Sequence, residues 1–148
     1  MMKNAYASLA LQTIVSGLIM YLVMFVMIDS RSSFYNNLNT LYMTLMMVAP
    51  MVVLMILAMR HMFPSKVTNT ALLVGAVAAF IGSFALIRSQ TTIGDVQFLR
   101  SMIPHHSGAV LMCREASIRD PEIKALCGEI TSSQTREIKQ MKAILDRM

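Results

Sequence analysis

Two adjacent imidazoles, His105 and His106, follow a proline in the run FLRSMIPHHSGAVLMC, from Phe98 to Cys113. Thioethers stand close by at Met102 and Met112, and a thiol at Cys113. Imidazole suits copper, zinc, nickel and iron, and thioether suits Cu(I). A mixed His and Met set therefore points toward copper rather than zinc, whose usual ligands do not include methionine. On a helix, Met102 lies one turn before His106 and Met112 lies two turns after His105, so each pair shares a face. Pro104 removes a backbone donor and crowds the carbonyl of Arg100, which predicts a kink that splays Met102, His105 and His106. The competing reading is packing. Methionine commonly fills gaps in cores, this chain has 16 of them, and a His-His pair is not a closed ligand set.

Two helices must position these groups. Gly94 is expected to break the helix before it, with Asp95 as the cap of the next. Val96, Leu99, Ile103, His106, Val110 and Cys113 then recur at helical spacing, and the helix is expected to end near Arg119. In RDPEI, at 119–123, Asp120 caps, Pro121 suits the first helical position and Glu122 favours the positive N-terminal end. A second helix follows to about Arg147, with Ile123, Cys127, Ile130, Ile138, Met141 and Leu145 on its apolar stripe. Helices joined by so short a turn are antiparallel neighbours. About the centre at Asp120, Cys113 lies level with Cys127, His106 with Gln134, and Met102 with Ile138; Glu137 and Met141 lie within one turn of that layer. His106 is on the stripe that faces the second helix, whereas His105 is turned by about 100° toward a second chain or solvent. Gln134 and Glu137 are candidates to orient an imidazole through its second nitrogen, or are simply polar groups at a dimer surface. The cysteines have three readings: an interhelical disulfide, a pair of metal thiolates, or buried small apolar groups. No Glu-x-x-His occurs, which argues against a di-iron carboxylate centre.

The rest of the chain is mostly apolar. Of its 148 residues, 55% are hydrophobic and 14% charged, too apolar for an ordinary soluble domain. Nine of the thirteen Lys and Arg and seven of the eight Asp and Glu lie from Arg88 onward. That mixed tail is a solvated helix surface, not a nucleic-acid patch. Three segments are long enough to span a bilayer: Ala7 to Ile28, Leu41 to Met59, and Thr70 (or Val67) to Ile87. The first is longer than a signal-peptide core and lacks a cleavage site, so it reads as a retained anchor. Lys3, Arg60 and Lys66 place the N-terminus and the second loop in the cytoplasm, and the tail outside. In the second span, Met43, Met47, Met51, Met55 and Met59 recur every fourth residue. That pattern is a soft-ligand track for Cu(I) or, more simply, helix packing. Pro50 interrupts the same span and would free the carbonyl of Met46. No span carries an ionisable residue, which disfavours an ion-driven transporter.

The segments DVQFLRSMIPHHSGAVLM and DPEIKALCGEITSSQTREIKQMKAIL resemble the bacterial family known as domain of unknown function 305. Asp95, Phe98, Met102, His105, His106, Ala109, Ile130, Gln134, Glu137, Ile138 and Met141 match its pattern across the last third of the chain. The resemblance implies a ferritin-like helical bundle, usually exported, with copper binding and tolerance in some members. Many members carry two such hairpins per chain. This one has a single hairpin, which favours dimerisation.

The expectation is an all-α protein: a three-span membrane domain at 1–88, then a helical hairpin domain at 89–148, half of a four-helix bundle completed by dimerisation. It sits in the lipid bilayer of a bacterial inner membrane, N-terminus in the cytoplasm and hairpin in the periplasm. It is not an enzyme. It binds copper, or another transition metal, through His105, His106, Met102, Met112 and Met141. The alternative is a structural or regulatory membrane module that self-assembles or binds a partner without metal.

Overall fold

A computed structural model describes residues 3–148, with side chains from Ala5 onward. Lys3, one of the charges used above for orientation, lies outside the described side chains. The protein is all-helical, with no strand among the described residues. Five α-helices follow in order: α1 (Lys3–Val23), α2 (Leu38–Ala58), α3 (Lys66–Ser89), α4 (Asp95–Glu115) and α5 (Pro121–Leu145). Short 3-10 turns occupy Arg31–Ser33 and Arg60–Met62. The chain forms two compact units: one takes the chain through Val23 together with Asn39–Thr92, the other takes Met24–Leu38 together with Ile93–Met148.

The first unit contains three helices long and apolar enough to cross a membrane: Ala5–Val23, Leu38–Ala58 and Lys66–Ser89. Only 6%, 17% and 11% of these stretches is buried inside the protein, so their apolar side chains face outward, as lipid-facing helices do. Leu9, Ile56 and Phe63 make a small core, with Tyr6, Val52, Met55, Leu72 and Leu73 packed on it. Beside it the Tyr6 hydroxyl donates to Asn69 Oδ1 at 2.9 Å and accepts from the Ser65 amide at 3.2 Å. Ser65 also caps α3, its hydroxyl accepting from the Thr68 amide. At the other end, Tyr42 bonds Thr92 at 2.8 Å and Gln90 donates to Asn39 Oδ1 at 2.9 Å.

Several boundaries differ from those expected. The first helix stops at Val23 rather than Ile28, because Met24–Ile28 belongs to the second unit, where Phe25 packs on Phe34. Gly94 does not end α3; Gln90 does, in a left-handed conformation at φ 53°. Asp95 is not the cap of α4 but its first helical residue, where its charge suits the positive end of the helix; Gly94 holds the cap position without a side-chain bond. The fourth helix ends at Glu115 rather than near Arg119, so the turn to α5 is longer than periodicity suggested. Both Pro50 and Pro104 lie inside helices that continue through them.

In the second unit α4 and α5 pair as a hairpin around Leu99, Ile103 and Met141, with Met102, Ile138, Ile144 and Leu145 against them. The unit also includes the loop between α1 and α2, which the expected division at 88/89 had grouped with the spans.

Candidate functional site in the helical hairpin

The turn sets the register of the two helices. Asp120 Oδ1 accepts from the amides of Glu122 at 2.8 Å and Ile123 at 3.1 Å, and Pro121 opens α5. Seven residues before the turn and seven after it, Cys113 and Cys127 are joined as a disulfide, with their Cα atoms 5.3 Å apart. That separation lies within the range of about 4.4–6.8 Å that a disulfide requires. Pairing takes both thiols out of the set available to a metal.

Two turns farther from the cross-link is the imidazole layer. His106 is largely buried, with 12% of its side chain exposed, and its Nδ1 lies 3.0 Å from Glu137 Oε2. The two atoms are in close polar contact but off the line of a good hydrogen bond, and the pair is ionic only when His106 is protonated. The other carboxylate oxygen, Oε1, accepts from the Ser133 hydroxyl at 2.7 Å, which fixes Glu137 on α5. Gln134 Oε1 is buried without a hydrogen-bond partner. Burial pushes the His106 pKa below its usual value, the adjacent His105 pushes it the same way, and Glu137 opposes them. His106 is therefore biased toward neutral imidazole, the form that ligates a metal.

The other expected residues are not all gathered here. His105 is exposed, its ring centroid 5.9 Å from that of His106. Met102 is half-buried against the Leu99–Ile103–Met141 core, which also holds Ile138, in keeping with the expected level. Met141 is buried in that core, whereas Met112 is 53% exposed. Among the described residues no three His, Cys, Asp or Glu side chains come together as a metal cluster. The methionines of α2 do not form one track either. Met55 packs against the first unit's core, Met43 and Met47 are exposed, and Met59, also exposed, lies just past the end of α2. A repeat of four on a helix of 3.6 residues per turn rotates by about 40° at each step, so such a stripe wraps around the helix.

Residues 84–147 match the family described as Domain of unknown function (DUF305). An uncharacterized protein of Acanthamoeba polyphaga mimivirus is 42% identical over 113 residues, covering 74% of this chain and 72% of that protein. This chain belongs to the DUF305 family. The likeness to the viral relative extends beyond the matched domain, into the membrane-length helices. No solved structure matches.

The DUF305 hairpin also uses residues that periodicity did not single out. Ser107 and Gly108 are buried on a second face of α4, turned away from α5. Ser107 Oγ accepts from the Asp29 amide at 2.8 Å, and Gly108 faces the Met27 carbonyl. Arg114 pairs with the Asp29 carboxylate. Ser101 donates to Asn37 Oδ1 at 3.4 Å, Gln97 Oε1 accepts from the Leu38 amide at 3.0 Å, and Lys142 donates to Ser32 at 3.0 Å. The signal available in sequence was the small pair Ser107-Gly108 interrupting an otherwise amphipathic pattern. Small residues permit close backbone approach, but nothing local says which segment approaches.

Proposed function

We propose that this DUF305 protein is a membrane-anchored metal-binding protein, handling copper or another soft or borderline transition metal for tolerance or transfer, without catalysing a reaction. The observation that carries this reading is the His106–Glu137 pair, with buried His106 Nδ1 and Gln134 Oε1 left without hydrogen bonds. Buried polar atoms are normally satisfied, so the unpaired Gln134 Oε1 in the same layer suits a site built to hold something polar. A carboxylate beside one imidazole nitrogen is also the usual way of orienting the other toward a metal. The donors are His105 and His106, with Met102, Met141 and Met112 as thioethers. Gln134 and Glu137 support them from behind. Their chemistry fits copper better than zinc.

The three membrane-length helices anchor the hairpin to a bilayer, and an odd number of crossings puts it on the side opposite the N-terminus. Lys3, Arg60 and Lys66 mark the cytoplasmic side, so in a bacterium the hairpin stands in the periplasm, where a disulfide persists. There the hairpin serves as half of a ferritin-like four-helix bundle, with a second copy supplying the other half. Nucleic acid has no part in this reading, since the tail carries both signs of charge.

A second reading is a structural or regulatory module that self-assembles without metal. It is favoured by the lack of a three-member His, Cys, Asp and Glu cluster among the described residues. Metal-stripped protein in detergent, dialysed against Cu(I), Cu(II) and Zn(II), separates the two. Stoichiometric copper that disappears in a His105→Ala/His106→Ala variant supports the metal reading. Equal metal content in the variant and the wild type would rule it out.

A further inference from the structure

The Cys113–Cys127 link is not enclosed by the hairpin. Both cysteines are half-buried, and both line a groove of about 800 Å³ along one side of α5. Lys124 stands one turn before Cys127 and Thr131 one turn after it, on the same side of the helix. Arg136 and Lys139 line the groove farther along. No carboxylate is among the described residues of its lining, although the sequence of α5 intersperses both signs of charge. A Cβ added at Gly128, next to Cys127, would meet nothing within 4 Å, so the approach to the link is clear. A disulfide at the wall of a cationic groove is within reach of a thiolate, and positive charge favours thiolates over thiols.

The hairpin has other means of holding its register. The Asp120 cap sets the turn, and Leu99, Ile103 and Met141 form the core between the helices. Opening the link therefore leaves two thiols opposed across the hairpin, on Cα atoms 5.3 Å apart in the closed form. Thiolate is a soft ligand and selects Cu(I). Cu(I) has a filled d shell and is satisfied by two thiolates in a near-linear arrangement. That matters here, because no three His, Cys, Asp or Glu side chains gather among the described residues, and zinc takes four ligands. Cu(I) held by two thiolates carries a net negative charge, which Lys124, Arg136 and Lys139 offset. His106 lies seven residues from Cys113, about 10 Å along α4, so the cysteines would form a site of their own.

We propose that Cys113 and Cys127 form a redox-gated Cu(I) site, closed as the disulfide and opened by an anionic small thiol that enters the cationic groove. A thiolate of the small thiol attacks one Sγ, the S–S bond breaks, and the other Sγ departs as a thiolate. A second small thiol attacks the mixed disulfide and frees the first cysteine. The two small thiols leave joined as their own disulfide, having given two electrons to the cysteines, and their two protons pass to Cys113 and Cys127. Cu(I) then binds both sulfurs and displaces those two protons. This site goes beyond the His and Met reading above and does not depend on it.

The test uses the full-length protein in detergent without oxygen. Glutathione, an anionic thiol, should open the link in the folded protein, read by mass as two alkylated cysteines with the helical circular dichroism unchanged. A Lys124→Gln/Arg136→Gln/Lys139→Gln variant should react with glutathione at least fivefold more slowly, while its rate with the cationic thiol cysteamine should not fall. A link that opens only in denaturant would overturn the gate, and an unchanged glutathione rate in the variant would overturn the part of the groove. After the thiol is removed, the opened protein should retain one more Cu(I) per chain than the closed protein against a competing chelator. The near-ultraviolet absorption of a thiolate–copper bond should accompany that ion. Cys113→Ser/Cys127→Ser, checked for helicity, should lack both, whereas His105→Ala/His106→Ala should keep both. No additional Cu(I) on opening would overturn the site. Copper in the opened form alone would support this site and refute the His and Met reading; copper in both forms alike would do the reverse.

Discussion

His106 shows what its environment does to one side chain. Its pKa lies below the ordinary 6.5 because burial disfavours the imidazolium, and His105 adds to that while Glu137 opposes it. In the unfolded chain the imidazole titrates at its ordinary value, so between the lowered folded value and 6.5 the unfolded state binds more protons. Stability from this group is fully present above 6.5 and is lost as the pH falls through the folded value. Metal-free protein should therefore show a thermal transition that falls as the pH drops below about 6.5, and His106→Ala should flatten that part of the profile. An unchanged slope in the variant would mean that other groups carry the pH dependence. The residue types of this layer were legible from sequence, and so was the pairing of His106 with the Gln134–Glu137 stretch, because a short turn at Asp120 sets the level of each residue. The unpaired Gln134 Oε1 was not legible, since it depends on a side-chain direction that spacing does not specify.

Among the elements, the loop between α1 and α2 departs most from expectation. Residues 24–38 read as the end of a span and a short connection, yet they fold against α4 through Ser107, Gly108, Gln97, Ser101 and Arg114. Ser107 is only 1% exposed and accepts from the Asp29 amide. Ser107→Ala leaves that half-buried donor without its acceptor, at a cost of about 1–1.5 kcal/mol. Amide hydrogen exchange at Asp29 should accelerate roughly tenfold, while the amides of α5 keep their protection. Uniform acceleration through α4 and α5 would show that the loop and hairpin open as one unit. This contact was hidden from the sequence because Met24–Ile28 is as apolar as the helix before it. Hydropathy alone could not tell a lipid-facing turn of helix from a segment that packs on another part of the chain.

For the whole molecule, the proposed crossing by three membrane-length helices and the distribution of Lys and Arg predict an outward C-terminus. An alkaline phosphatase fused after Met148 should be active in a bacterial host, and a reporter that works only in the cytoplasm should be silent at the same point. The reverse pattern would overturn the orientation. Sequence by itself determined the all-helical class, the three membrane-length helices, the hairpin and the level at which Cys113 meets Cys127. Each follows from local quantities: apolar length, helical period, and a Asp-Pro turn that caps one helix. Tertiary structure decided which faces of α4 are spent and which is left. Helical period marks an apolar stripe but not its partner, so only the folded chain shows Ser107 and Gly108 covered by a distant loop, with Phe98, His105 and Met112 still bare.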